Sequence, residues 1–431
     1  MFDPFTISVI LIVIMTIMGL SVGLAMMAGV IVFLLLNGYD TSLGAETLLQ
    51  GLFNGYTLIS IPLFILAADI MNLGTLSDRL LRFSQALVGR FKGGLGHVNV
   101  VSSVIFSGMS GSAIADAVGM GRIIIGMMTR DGKYTPAYAA AITAASATIG
   151  PIIPPSIPMV LYALISNTSI GFLFAAGIFP GLLMALVLII MNSIIAHKRD
   201  IGTDEATKLS EFPRVTARAF PALMLPVILL GGIYSGITTP TEAAAVAAFY
   251  ALVISVVAYR SVSVRQFYQT LVQSSRSTAS VGILVAGALA FNFVIAREGI
   301  PDSIASYLAQ YEMSKITFLI TINLLILALG CVLEGGAILL IIVPIFIPTA
   351  QLLGIDMIHF GVIVLVNSML GLITPPYGML LFVVSSITGT PIQKIIREVL
   401  PFLLALLVAL VFINAAPDFV LYLPRALGYQ G

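Results

Sequence analysis

Residues 136–165 read PAYAAAITAASATIGPIIPPSIPMVLYALI, and residues 358–387 read IHFGVIVLVNSMLGLITPPYGMLLFVVSSI. Each is an apolar stretch long enough to cross a bilayer, interrupted midway by a proline pair: Pro154-Pro155 in one, Pro375-Pro376 in the other. Proline lacks an N–H and clashes with the preceding turn, so each pair breaks a helix. At membrane depth a break strands backbone polar groups, and it is tolerated only inside protein or beside a polar cavity. The two breaks also echo each other. Gly150-Pro-Ile-Ile-Pro-Pro155 and Gly371-Leu-Ile-Thr-Pro-Pro376 share the Gly, one Ile and both Pro, at an offset of 221. A second echo pairs Ser110-Gly-Ser-Ala-Ile114 with Glu334-Gly-Gly-Ala-Ile338, at an offset of 224. Two echoes in the same order and at nearly the same offset point to an internal repeat.

Composition places these breaks in a membrane. Of 431 residues, 59% are hydrophobic and 9% are charged, and the mean hydropathy is +1.10. A soluble domain carries about 25% charged residues and lacks the polar cover for this much apolar surface. A soluble enzyme and a disordered protein are excluded. With 20 Lys+Arg against 19 Asp+Glu and no basic block, so is a nucleic-acid binder. Long apolar runs rather than alternating short strands argue against a transmembrane barrel. The single cysteine, Cys331, excludes a disulfide framework. The first apolar stretch lacks a basic leader and reads as a span rather than a cleaved signal peptide.

Apolar stretches fall near 5–36, 53–73, 95–128, 136–165, 171–196, 219–237, 242–259, 277–296, 315–350, 358–387 and 400–424. A crossing helix needs about 20 residues. Residues 95–128 and 315–350 are long for one crossing and short for two, and 5–36 reads as either one bent helix or two short ones. Basic residues mark the inner side. Residues 37–52 carry Asp40 and Glu46 without a cation and go outside; 74–94, with Arg79, Arg82, Arg90 and Lys92, go inside. Arg130 and Lys133 are also inside, so 95–128 returns to the side it left and reads as a re-entrant hairpin. Lys198, Arg199, Lys208, Arg214 and Arg218, then Arg260, Arg265 and Arg276, then Lys394 and Arg397 continue the pattern. The expected architecture is an all-α polytopic membrane protein with inverted repeats, two re-entrant helical hairpins and two broken helices. An N-terminal scaffold spans 1–52. A first repeat spans 53–196, with hairpin 95–128 and broken helix 136–165. A central scaffold segment spans 197–276, and a second repeat spans 277–424, with hairpin 315–350 and broken helix 358–387. The N-terminus lies outside.

Broken helices carry chemistry. Freed carbonyls and hydroxyls are hard oxygen ligands that suit Na⁺, while N–H groups at half-helix starts suit a carboxylate. Ser103, Ser107, Ser110, Ser112, Ser146, Thr148 and Ser156 cluster near the first hairpin and break. Gly335, Gly336, Asn367, Ser368 and Thr374 cluster near the second. Ionisable groups within spans are costly and are functional candidates by default: Asp69, Asp116 and Glu334 stand out. Glu242, after Thr238-Thr-Pro-Thr241, reads equally well as a charge at a helix start, and Arg297-Glu298 as a snorkelling pair at the outer boundary.

Ser110-Gly-Ser112, Gly150-Pro-Ile-Ile-Pro-Pro-Ser156, Thr239-Pro-Thr-Glu-Ala-Ala244 and Thr374-Pro-Pro376, with Ser60-Ile-Pro-Leu-Phe64 and Phe179-Pro-Gly181, resemble the large membrane subunit of tripartite ATP-independent periplasmic (TRAP) transporters. The resemblance runs over nearly the whole chain. It implies an elevator-type fold of the ion-transporter superfamily in the bacterial inner membrane. It also implies symport of Na⁺ with an organic acid, delivered by a periplasmic substrate-binding protein, and a small four-helix membrane subunit expected as a separate chain. By that resemblance the tips near Ser110 and Gly335 close over the substrate. Ser110, Ser112, Asp116, Ser156, Asn367 and Arg297 are expected on the substrate side. Ser103, Ser146, Gly150, Gly335, Gly336, Gly371, Thr374 and Pro375 are expected around Na⁺. Glu242 and Glu334 are further functional positions, and Glu242, Asp116 and Arg297 are expected to serve transport or contact with the binding protein. Family substrates include sialic acids, C4-dicarboxylates and keto acids; general similarity favours a sialic acid.

Other readings are weaker. Gly108-Met-Ser-Gly111 matches the Gly-x-Ser-Gly of rhomboid proteases, but no His lies centrally in an expected span to act as base. The His-Glu-x-x-His zinc pattern is absent. A channel suits inverted hairpins less well than alternating access does. A stand-alone Na⁺-coupled dicarboxylate carrier is the main alternative, and Thr239-Pro-Thr-Glu242 favours the tripartite system over it.

Overall fold

A computed structural model describes residues 3–73, 76–203, 209–259, 262–310 and 313–431. Lys208 and Arg260, used above to orient loops, lie outside these residues. The described residues are helical and contain no β-strand; an isolated bridge pairs Lys92 with Thr203.

The stretch 5–36 resolves into two helices, α1 (Pro4–Ile17) and α2 (Val22–Leu36), joined at Gly19, whose φ of +95° suits a residue without Cβ. The stretch 37–52, expected as an outer loop, instead carries most of α3 (Ser42–Asn54), which bends by 71° into α4 (Ser60–Asn72). After α5 (Leu76–Val88) come α6 (Gly94–Ser110), α7 (Ala113–Val118) and α8 (Met120–Arg130), which reverse direction around Gly111. α9 (Pro136–Ala147) and α10 (Ile157–Ser166) flank the first proline break. At about 1.5 Å per residue neither half reaches across about 30 Å of hydrocarbon alone. Each half has its own start signal: Pro136 follows Thr135, whose hydroxyl accepts from Tyr138 N–H, and Ser156 caps Met159 N–H at 3.2 Å.

α11 (Ile170–Lys198), α12 (Phe212–Tyr234) and α13 (Pro240–Val253) follow, the last continuing as a π-helical turn to Ala258. The span expected at 277–296 is only part of α14 (Val264–Arg297). A capping box between Ser263 and Gln266 starts this helix well before its apolar segment. Then come α15 (Ile300–Gln310) and α16 (Lys315–Gly330). α17 (Gly335–Ala337) runs through a π-helical turn into α18 (Val343–Leu352). α19 (Met357–Gly371) and α20 (Met379–Thr388) flank the second break. The stretch expected as one span at 400–424 divides between α21 (Ile392–Ala415) and α22 (Pro417–Ala426). Pro417 forces Ala416 out of the helical region, to φ −122°. Six helices, counting Pro240–Ala258 and Gly335–Leu352 as one each, are long and apolar enough to cross a membrane among the described residues.

Packing interleaves the early and late parts of the chain. α9 lies against α6, α8, α20 and α21, and α10 lies against Gly335–Ile342. The wall of small residues on α9, with Ala139, Ala140, Ala141, Ala144 and Ala145 all buried, permits this close approach. The Tyr162 hydroxyl on α10 donates to the Met357 carbonyl on α19 at 2.6 Å, and a Cβ at Gly361 would strike the Tyr162 ring. Elsewhere α1 packs on α2, α2 on α14, and α4 on α13. The α2–α14 crossing is glycine on backbone. A Cβ on Gly23 would meet Ile283 C at 2.7 Å and Leu284 Cα at 2.8 Å, and one on Gly287 would meet Gly23 C and Cα at 2.9 Å.

Gly287→Ala therefore overpacks that crossing and is expected to cost about 1–3 kcal/mol. Gly282→Ala on the same helix meets nothing within 4 Å and should be neutral or stabilising by up to about 1 kcal/mol. Unfolding of both variants in detergent checks the contrast.

Candidate functional site

Two helix tips and two breaks converge on one cavity. Its lining includes Gly111, Ser112, Ala113 and Ile114 from the first tip, and Glu334, Gly335 and Gly336 from the second. Pro151, Ile157, Pro158 and Leu161 come from the first break and α10, Met369 and Leu372 from the second break, and Val281 and Leu284 from α14. Both breaks contain a cis proline bond, Pro154–Pro155 and Pro375–Pro376.

The breaks are seated by glycines. On α11, Gly177 admits the Ile152 carbonyl and Gly181 the Ile153 side chain; a Cβ at either position would collide. At the second break Gly371 and Gly330 touch backbone to backbone. Local bonds take up part of the freed backbone. The Ser156 hydroxyl donates to the Pro151 carbonyl, and the Thr374 hydroxyl donates to the Leu370 carbonyl at 2.7 Å. Pro375 contributes its carbonyl to a 3.7 Å contact with Cys331 Sγ.

Behind the first tip Ser110 donates its hydroxyl to Asp116 Oδ1, while Asp116 Oδ2 is buried without a hydrogen-bond partner. A Cβ at Gly150 would run into that Asp116 carboxyl, so the break and the tip touch here. Ser112 caps α7 through Ala115 N–H at 3.4 Å. Below them a buried polar chain links α6 to α9. Ser103 donates to Ser146 at 3.0 Å, Ser146 donates to Asn99 Oδ1 at 2.9 Å, and Asn99 Nδ2 donates to Thr143 at 2.7 Å. In the later half, Asn367 Nδ2 donates to Asn323 Oδ1 at 2.8 Å, Asn323 Nδ2 donates to Asn414 Oδ1 at 2.8 Å, and Asn367 Oδ1 is buried without a partner.

These two chains occupy matching positions. Asn99 and Asn323 stand 224 positions apart, as Ser110 and Glu334 do; Ser146 and Asn367 stand 221 apart, as Gly150 and Gly371 do. In each pair the second helix donates to the side-chain oxygen of an Asn on the first. Asn99, Asn323 and Asn414 were not among the sequence candidates. Extending the tip echo back eleven residues would have shown the Asn pair.

Three candidates lie elsewhere. Arg297 ends α14 with its guanidinium 4.3 Å from the Tyr39 ring centroid, and it does not line the cavity. Glu242 is exposed in a capping box, accepting from Thr239 N–H at 2.8 Å at the start of α13. Asp69 accepts from Ser274 at 2.6 Å, between α4 and α14. Among the described residues, no group of three or more His, Cys, Asp or Glu is arranged to hold a metal.

The family model for the DctM component of tripartite ATP-independent periplasmic transporters matches residues 9–419. A sialic acid TRAP transporter large permease of Vibrio cholerae is 42% identical over 414 residues, covering 95% of this chain and 96% of that protein. A C4-dicarboxylate TRAP transporter large permease of Pseudomonas aeruginosa is 42% identical over 373 residues, covering 86% and 87%. In structure the chain resembles the YdaH transporter of Alcanivorax borkumensis. The TM-score is 0.64 over 86% of this chain and 88% of that one, at 18% identity, a likeness of fold alone.

The matched polar pairs should be energetically equivalent. Double-mutant cycles of Asn99→Ala with Ser146→Ala, and of Asn323→Ala with Asn367→Ala, are expected to return coupling energies of about 0.5–1.5 kcal/mol each, the range of hydrogen bonds between membrane helices. Unfolding in detergent reads them, and coupling in only one pair would break the correspondence.

Proposed function

The chain belongs to the DctM component family of tripartite ATP-independent periplasmic transporters, and from that premise we propose that it imports an organic acid together with Na⁺. It is a TRAP large permease and a multi-span membrane protein. The relatives are permeases rather than enzymes. The observation that carries the proposal is the convergence of both tips and both breaks on one cavity.

The chemistry of that cavity supports a shared role for cation and substrate. No Lys or Arg is among its lining residues, and its charged member is Glu334. A carboxylate arriving there is met by the first N–H groups of α7 and α17, those of Ala113, Ile114, Gly335 and Gly336, which have no intrahelical acceptor, and by Na⁺ bound close by. Among the buried oxygens left without hydrogen-bond partners, Asp116 Oδ2 and Asn367 Oδ1 suit Na⁺, and break carbonyls would complete such sites. On this reading Asp116 and Asn367 move from substrate contacts to cation ligands. Ser112, Gly335 and Gly336 face the substrate, and Ser156 and Thr374 hold the breaks in shape. Ser103 and Ser146 support the cation region from behind.

Residues 53–196 and 277–424 form two inverted repeats in this proposal, supported by the matched Asn99–Ser146 and Asn323–Asn367 bonds. The interleaved helices around α9 and α10 slide as one body against the framework of α1, α2, α12, α13 and α14. Na⁺ and substrate bias that movement only through different affinities for its two end states. A separate small membrane subunit would brace the framework, and a periplasmic binding protein would deliver the cargo in the bacterial inner membrane, with the N-terminus on the periplasmic side. Glu242 and Arg297, away from the cavity, suit contacts with such partners. The relatives named for sialic acid and for C4-dicarboxylate are equally identical to this chain; sialic acid, matched over the longer stretch, is the first substrate to test.

In proteoliposomes with the small subunit and binding protein, labelled sialic acid should accumulate only under an inward Na⁺ gradient. Asp116→Ala and Ser112→Ala should each lower uptake at least tenfold, and raising Na⁺ should rescue Asp116→Ala in part. Uptake without the binding protein would move the chain to the stand-alone carriers. Uptake of a C4-dicarboxylate but not sialic acid would keep the mechanism and change the cargo.

A further inference from the structure

Away from the central cavity, the start of α12 and the face of α5 enclose a groove lined by Asp78, Arg79, Arg82, Val215 and Arg218. Three arginines against one aspartate make it cationic. Beside it stands Tyr259, at the end of the π-helical turn after α13. The phenol donates to the Arg218 carbonyl at 2.9 Å, and the Arg79 guanidinium lies 3.9 Å from the ring centroid. Phe83 and Phe212, with ring centroids 6.2 Å apart, tie α5 to the start of α12. Aromatic side chains thus adjoin the groove, while Arg82 and Arg218 remain exposed.

Its neighbourhood is apolar. Phe220, on α12 just beyond Arg218, is 53% exposed, and Val257, just before Tyr259, is 66% exposed. A cationic groove at the end of spanning helices, opening onto exposed apolar side chains, matches a molecule with an anionic head and hydrocarbon tails. A free anion would gain nothing from the apolar border.

We propose that this groove binds the phosphate headgroup of an anionic phospholipid, with Arg82 and Arg218 on the phosphate, Arg79 held beside them by Tyr259, and the acyl chains along Phe220 and Val257. The inference rests on the membrane placement of the chain and not on transport, so its test reads binding.

Phosphatidylglycerol binding to the purified chain in detergent, followed by native mass spectrometry, should weaken about fivefold for each arginine removed in Arg82→Gln and Arg218→Gln. Rising salt should weaken it further. Phosphatidylcholine should bind weakly, and Lys394→Gln with Arg397→Gln should leave phosphatidylglycerol binding unchanged. Unaltered phosphatidylglycerol binding by the Arg82→Gln/Arg218→Gln double variant would overturn the proposal. So would displacement by inorganic phosphate at matched concentration, which would mark a small-anion site. A photoreactive phosphatidylglycerol added to the unaltered chain should label peptides covering 76–88 and 212–220. Labelling confined to other segments would overturn the proposal without any variant having to fold.

Discussion

A peptide group inside hydrocarbon has no water to turn to, and this constraint organises the molecule around its two breaks. Each break needs a seat, and the seats are glycines: Gly177 and Gly181 beneath Ile152 and Ile153, and Gly330 against Gly371. Each seat also needs neighbours close enough to exclude lipid, which explains the alanine wall of α9 among four other helices. The irregular backbone, costly in itself, is thereby moved to the centre of the protein, where its polar groups line a cavity rather than face lipid.

The two breaks share a frame but differ in side-chain chemistry. The frame is an Asn on one helix receiving a hydrogen bond from the next. Around it the first half places hydroxyls and Asp116. In the second half the position corresponding to Asp116 is Leu340, and the polar groups are Asn323, Asn367 and Asn414. The buried oxygens without partners include Asp116 Oδ2 in one half and Asn367 Oδ1 in the other. The two halves therefore present unequal charge beside their breaks.

The sequence was most legible where a local rule acts without help. Proline pairs break helices whatever surrounds them, so both breaks stood where the prolines place them, and the helices of the long stretches 95–128 and 315–350 are interrupted at Gly111-Ser112 and at 331–334. Length alone could not divide 5–36 or end α21 at Ala415, because the first depends on the Gly19 turn and the second on one proline among many apolar residues. It also missed the start of α14, whose polar first turns lack hydropathy but carry a capping box. At the site, side-chain type singled out Ser110, Asp116, Ser103 and Ser146 one by one, and the fold shows that Ser110 bonds to Asp116 and Ser103 to Ser146. Side-chain type read Arg297 as a boundary residue without showing that the guanidinium lies over the Tyr39 ring, away from the cavity lining. Asn323 was visible only by extending the tip echo, and Asn414 escaped notice because an amide in an apolar run becomes meaningful only when its partner, 91 residues away, is known.

The bond from Tyr162 to the Met357 carbonyl spans 195 residues of chain. During synthesis α10 is complete long before α19 exists, and for that interval the Tyr162 hydroxyl has no acceptor on the helix that will hold it. The contact between α10 and α19 can therefore form only after the later helices have been made. Biogenesis of this chain is a problem of timing as much as of insertion, and the cavity comes into being only with the last third of the polypeptide.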